Sequence, residues 1–263
     1  MPIYRQSLPQ LSNRLFITDG GLETTLIFHE KVDLPAFAAF TLLNHHSGRE
    51  KLREYHRRYL ELAAEHGLGF ILDSATWRAN PDWGQQLGYS AIRLAEMNCR
   101  AIEELVQLRR EYLGRVSTMV ISGAIGPRGD GYIANSRMTE AEAEVYHGEQ
   151  IGVFAGTEAD MVTAFTLNYV EEAIGIVRAS QRYRVPAAIS FTVETDGQTP
   201  ERTSPAICHR ASGRSNEPRP RLLHDQLRSP DAFCGRTQLR SGMGPSNPWS
   251  ARECVELQPR RTE

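Results

Sequence analysis

Residues Ser117–Tyr132 read STMVISGAIGPRGDGY, an apolar run that breaks into a glycine-rich loop. Ser117–Ser122 reads as a strand, and Gly123–Gly131 as a long turn that uses glycine for positive φ. The loop has neither the GxGxxG spacing of a dinucleotide site nor the Gly-Lys-Ser/Thr ending of a phosphate-binding P-loop. The same unit recurs upstream. Leu15–Thr18 is a short strand stopped by Asp19-Gly20-Gly21, and Gly69–Leu72 is a strand stopped by Asp73-Ser74-Ala75-Thr76. Between them Leu52, Tyr55, Tyr59, Leu62 and Ala63 recur at helical intervals. Ser47…Glu50 has capping-box spacing at the start of this helix, and His66 suits its carboxyl end.

Downstream the alternation continues. Ile92–Leu113 is helical and carries Cys99 on its apolar stripe, which favours a core cysteine over a nucleophile. Thr139…Glu142 has capping-box spacing and opens a helix to about Ala155. Asp160–Phe165 is a fourth strand, Asn168…Glu171 caps a helix to about Tyr183, and Ala187–Thr192 is a fifth strand. Strand and helix in strict alternation imply a parallel α/β sheet, either doubly wound or a (β/α)8 barrel. Both folds put function in the loops after the carboxyl ends of the strands. Those loops hold Asp19, Asp73, Thr76, Arg128, Asp130, Thr166, Asn168, Thr192, Glu194 and Asp196, whereas the opposite loops are short and bland. The carboxylates among them can hold a hard cation or act as acid and base. Trp77 and Trp83 can wall a pocket or pack over the mouth of the sheet.

Composition bounds the function. The 263 residues are 40% hydrophobic and 24% charged, with a net charge of −2, which argues against nucleic acid as the main partner. No apolar run approaches the roughly 20 residues of a membrane span, and the first ten residues lack a signal-peptide core, so a cytoplasmic protein is expected. Cysteines 99, 208, 234 and 254 show no CxxC spacing. The averages conceal a break: residues 201–263 contain 11 Arg, 7 acidic residues and no Lys. The tail carries three of the four cysteines and only 17 apolar residues in 63, a composition close to that of disordered chains.

Five segments occur in one order: DGGLETTL (Asp19–Leu26), DSATWRANPDW (Asp73–Trp83), SGAIGPRGDGY (Ser122–Tyr132), FTLNYVEEA (Phe165–Ala173) and SFTVETDG (Ser190–Gly197). Together they resemble the homocysteine S-methyltransferase family across roughly residues 12–198. The resemblance implies a (β/α)8 barrel that uses zinc to move a methyl group from a sulfonium or betaine-type donor to the thiol of homocysteine, giving methionine. It implies that Asp19 with the Gly20-Gly21 backbone grips the amino acid end of the substrate. It also implies that Thr76, Thr166 and Thr192 line the same pocket. Phe165 stands where many members have Glu. The family's zinc ligands come from an Asn-Cys segment after strand six and a Gly-Gly-Cys-Cys segment near strand eight. This chain has neither, so Cys208, Cys234 and Cys254 are not carried over and no zinc is expected.

Loss of family character together with apolar content suggests a change of reading frame near Thr199. Read one base out of register with free third bases, Thr199–Ile207 can give LPNGQALPS and Leu222–Leu239 can give YYMINCAHPTHFADALN. The expected organisation is a barrel portion over residues 1–198, an incomplete barrel of about five strands, followed by an irregular tail over 199–263. Two other readings stay open: a non-catalytic half-barrel binding module, and a Mg²⁺-dependent carboxylate enzyme using Asp19, Asp73, Glu194 and Asp196.

Overall fold

The computed structural model describes residues 1–133 and 137–193 and the backbone of 222–227. The strands are β1 (Phe16–Thr18), β2 (Gly69–Asp73), β3 (Thr118–Ile125), β4 (Met161–Leu167), β5 (Ala187–Val193) and β6 (Leu222–Leu227). The helices are α1 (Leu22–Thr24), α2 (His46–Glu65), α3 (Pro81–Gln86), α4 (Ala91–Glu111), α5 (Glu140–Ala155) and α6 (Val170–Tyr183). The strands form one parallel sheet in the order β1-β2-β3-β4-β5-β6. A sheet whose spatial order follows chain order has no switch point. The doubly wound alternative is therefore excluded, and the sheet is an incomplete (β/α)8 barrel.

The irregular tail needs one correction. Leu222–Leu227 lies parallel to β5 in continuous register, from Ala188↔Leu222 to Val193↔Leu227. Ladder bonds join backbone groups, so a segment within a tail poor in apolar residues can still satisfy the N–H and C=O groups along β5.

Each strand has two environments. Phe70 and Leu72 of β2 pack outward among helix residues such as Ile102, Leu105, Ile151, Phe154 and Ile176. On the opposite side Ile71 joins Val120, Met161 and Ala188 in a smaller cluster inside the curled sheet. Leu8 closes this inner cluster from the N-terminal segment and is itself buried. That segment is tied down by Asp160, which accepts from the amides of Ile3 and Tyr4 at 2.7 Å and of Ile121 at 3.0 Å.

The capping box Thr139…Glu142 forms as read. The other two do not. α2 begins at His46, two residues early, with no side-chain cap, and α6 begins at Val170 with Tyr169 in the capping position. Asn168 instead donates to Asp130 O at 2.8 Å, because its side chain is drawn to the neighbouring loop. Cys99 is half-buried rather than core, since Leu94, Met97, Ala101 and Ile102 take the inward face of α4. The glycine-rich segment also differs from a long turn. β3 runs on to Ile125, and positive φ among the described glycines is confined to Gly67, Gly88 and Gly114. Gly123 and Gly126 serve close approach: a Cβ would meet Phe154 Cδ2 at 2.6 Å and Trp77 O at 2.3 Å.

Candidate functional site

Inside the sheet the side chains form layers, because residues i and i+2 of a strand share a face. Two residues on from Ile71, Val120, Met161 and Ala188 come Asp73, Ser122, Thr163 and Ser190. An apolar layer is thus topped by a polar one, all four of whose members are buried. Ser122 Oγ and Thr163 Oγ1 are 2.7 Å apart. Asp73 Oδ1 and Ser190 Oγ are buried without a hydrogen-bond partner.

Asp19 stands beside this layer at the end of β1. The Tyr59 hydroxyl closes on Gly20 so tightly that a Cβ there would lie 2.9 Å from it. The Tyr55 hydroxyl is buried facing Asp19 without a well-formed hydrogen bond. Burial raises the Asp19 pKa to about 7. Glu23 is also raised to about 7, by burial and then by the charge of Asp19. Asp73 follows, raised to about 7 by burial and by Asp19, with Ser122, His56 and Thr163 opposing. All three carboxyls resist ionisation, and the Asp19 charge disfavours that of both Glu23 and Asp73, so the group is short of positive charge. His56 lies behind them, with Nδ1 2.8 Å from Leu52 O and Nε2 3.1 Å from Asp73 O; burial lowers its pKa.

The rim above is built by the loops. Thr76 is fully buried, donating to Ala124 O at 2.7 Å and contacting Ser74 Oγ at 2.6 Å. Thr192, also buried, donates to Gly131 O at 2.7 Å. Thr166 donates to Phe165 O and accepts from Trp77 Nε1 at 3.1 Å. The hydroxyls of Thr76, Thr166 and Thr192 therefore hold the loops around the mouth, and Asp19, Gly20 and Gly21 are the sequence-picked residues that flank the acidic group. Arg78 lies between two indoles, its Cζ 4.0 Å from the ring centres of Trp77 and Trp83, and donates to Gly129 O at 2.8 Å. Arg128 pairs with Asp82 at 2.7 Å, and its amide donates to Glu172 Oε1, which also meets His147 Nε2 at 2.8 Å. Glu194 and Asp196 lie outside the described residues, as do Cys208, Cys234 and Cys254.

The family model described as homocysteine S-methyltransferase matches residues 16–215. The chain belongs to that family. Comparison with curated proteins finds no match. The fold is that of the Escherichia coli homocysteine methyltransferase MmuM. Its metallated form aligns with a TM-score of 0.65 and 16% identity, over 84% of this chain and 76% of that one. Its oxidized form gives 0.59 and 16% identity over 89% and 98%. The family match runs past residue 198, where composition placed the boundary.

Family membership raises the question of zinc, which takes thiolate or imidazole donors that converge on one point. Among the described residues no group of three or more His, Cys, Asp or Glu could hold a metal ion. The described cysteine, Cys99, lines a cavity of about 510 Å³ with Met1 and Glu158, on the side of the N-terminal segment rather than at the mouth. The described residues do not fit a zinc–thiolate centre. The Mg²⁺ reading gains no support from them either.

The sequence reading passed over Glu23, Tyr55, His56, Tyr59 and Arg78 as site residues, and of the polar layer it picked out only Asp73. The layer had a visible signal: Ile71/Asp73, Val120/Ser122, Met161/Thr163 and Ala188/Ser190 each change from apolar to polar over one i, i+2 step.

Proposed function

We propose that this barrel portion binds homocysteine at the carboxyl ends of β1 and β2, as part of a methyltransferase lineage that makes methionine. The observation that supports it most is the family match together with the acidic mouth at Asp19. In the proposed reaction the homocysteine sulfur forms a bond to a methyl carbon while that carbon's bond to a sulfonium sulfur or betaine nitrogen breaks. The donor leaves neutral at that atom, and the thiol proton goes to solvent or a base. Asp19 and the Gly20-Gly21 backbone hold the amino acid end, and the loops pinned by Thr76, Thr166 and Thr192 close the rim. The substrates are small molecules in the cytoplasm, with neither nucleic acid nor membrane as partner; no described helix is long and apolar enough to cross a membrane.

The polypeptide itself is proposed to transfer no methyl group. Its sequence lacks the family's Asn-Cys and Gly-Gly-Cys-Cys segments, and residues from about 199 onward are proposed to be out of frame. The purified chain, given homocysteine and S-methylmethionine, S-adenosylmethionine or betaine, is expected to form no methionine. A chain carrying the restored frame, extended through both cysteine segments, is expected to form it. Turnover by the unaltered chain would overturn the inactivity, and failure of the restored, zinc-loaded chain with every donor would overturn the substrate.

A further inference from the structure

The polar layer contains a contradiction that a ligand would resolve. Asp73 is 8% exposed, shares the inward face with Ile71, and has one carboxylate oxygen that nothing donates to. Ser190, 0% exposed and on the same layer across the sheet, has an unpartnered hydroxyl. Buried polar atoms without partners are costly and uncommon in folded proteins. Asp19 faces Asp73 closely enough for the two charges to disfavour each other. Arg78, whose charge acts on Glu23, stacks between two indoles and donates to Gly129 O. An ionised carboxylate accepts and cannot donate, so the component that would let Asp73 and Asp19 ionise together is a donor that carries positive charge.

We infer that Asp73, acting with Asp19, is the specificity-determining carboxylate that receives a primary ammonium group, with Ser190 offering its oxygen to a third N–H. This rests on the homocysteine reading for the identity of the substrate, but the ligand class follows from the layer itself. A compact ammonium offers three donors that can be shared among two carboxylates and a hydroxyl. A quaternary or sulfonium cation has no N–H and cannot satisfy Asp73 Oδ1 or Ser190 Oγ by hydrogen bonding. Asp73 therefore selects for a primary amine, which betaine lacks, whereas homocysteine, S-methylmethionine and S-adenosylmethionine all carry one.

The test is equilibrium binding to the full chain of L-homocysteine, its amine-free analogue 4-mercaptobutanoate, and n-butylammonium. The wild-type chain is expected to prefer homocysteine over the analogue by at least about tenfold. Asp73→Asn, nearly isosteric, is expected to lose most of this preference while keeping its affinity for the analogue. If Asp73→Asn fails to fold, Asp73→Ser carries the same comparison. A preference undiminished by loss of the Asp73 charge, or absent from the wild type, overturns the inference. Binding of butylammonium that depends on Asp73, with neither thiol bound, would sustain the ammonium site and overturn the homocysteine reading instead. Failure of the wild type to bind either amine overturns the inference.

Discussion

The indole Nε1 of Trp77 donates to Thr166 Oγ1 across 3.1 Å, joining the loop after β2 to the end of β4, 89 residues away. Thr166 has a φ of 57°, a left-handed backbone that a β-branched residue adopts only when its surroundings hold it. The β4–β5 register shifts between Ala164 and Leu167 at the same place. The shift turns Phe165 and Thr166 out of the strand's alternation, and Trp77 fixes the result.

Trp77→Phe keeps most of the ring and removes this hydrogen bond. It is expected to destabilise the protein by about 1 kcal/mol in urea unfolding. A variant as stable as the wild type would mean that the bond does not hold the shifted register.

Arg78 is gripped by two indole faces and a carbonyl. Lysine keeps the charge but not the plane that stacks between the rings. Arg78→Lys is therefore expected to lose roughly 2 kcal/mol of stability, by desolvated cation–π energies, and to alter the near-ultraviolet tryptophan dichroism. Unchanged dichroism and melting would show that the planar stack is dispensable.

The three raised carboxyls at Asp19, Glu23 and Asp73 set the sign of a pH effect. The folded chain keeps protons on them up to about 7, whereas the unfolded chain releases them near its ordinary carboxyl pKa values. The native state then binds more protons, so stability falls as pH rises through that interval. Arg78, His56 and Tyr55 are the other titratable groups that face them. Denaturation between about pH 5 and 7.5 is expected to show this decline in the wild type and a shallower one in the Asp19→Asn, Asp73→Asn double variant. Equal slopes in the two proteins would contradict the assignment.

His147 and Glu172 meet at 2.8 Å with 0% and 1% of their side chains exposed, tying α5 to α6 and, through the Arg128 amide, to the loop after β3. Glu172→Ala leaves His147 and that amide without their acceptor. It is expected to cost about 3 kcal/mol, near the lower end for breaking buried pairs. A cost below about 1 kcal/mol, the range of exposed pairs, would mean that the pair carries little.

Metal analysis tests the zinc expectation separately. The purified chain is expected to carry no stoichiometric zinc. One tightly held zinc per chain, lost on mutating Cys208, Cys234 or Cys254, would refute it.

The sequence by itself determined what short-range chemistry controls. The apolar runs at Ser117–Ser122 and Ala187–Thr192 and the helical spacing from Leu52 to Ala63 gave parallel α/β units, and the five ordered segments gave the family. The Thr139…Glu142 cap was also legible, because both partners lie within one turn. Only the tertiary structure decided the rest. Strand order, which separates a barrel from a doubly wound sheet, lies in pairings such as Ser122↔Met161 that no local pattern encodes. Gly123 and Gly126 answer to Phe154 and Trp77 rather than to a turn. Thr76 and Thr192 spend their hydroxyls on carbonyls 48 and 61 residues away, and Asn168 turns from its own helix to Asp130. A polar side chain takes whichever partner folding brings near, so its role is settled by distant chain, whereas periodicity is settled by neighbours.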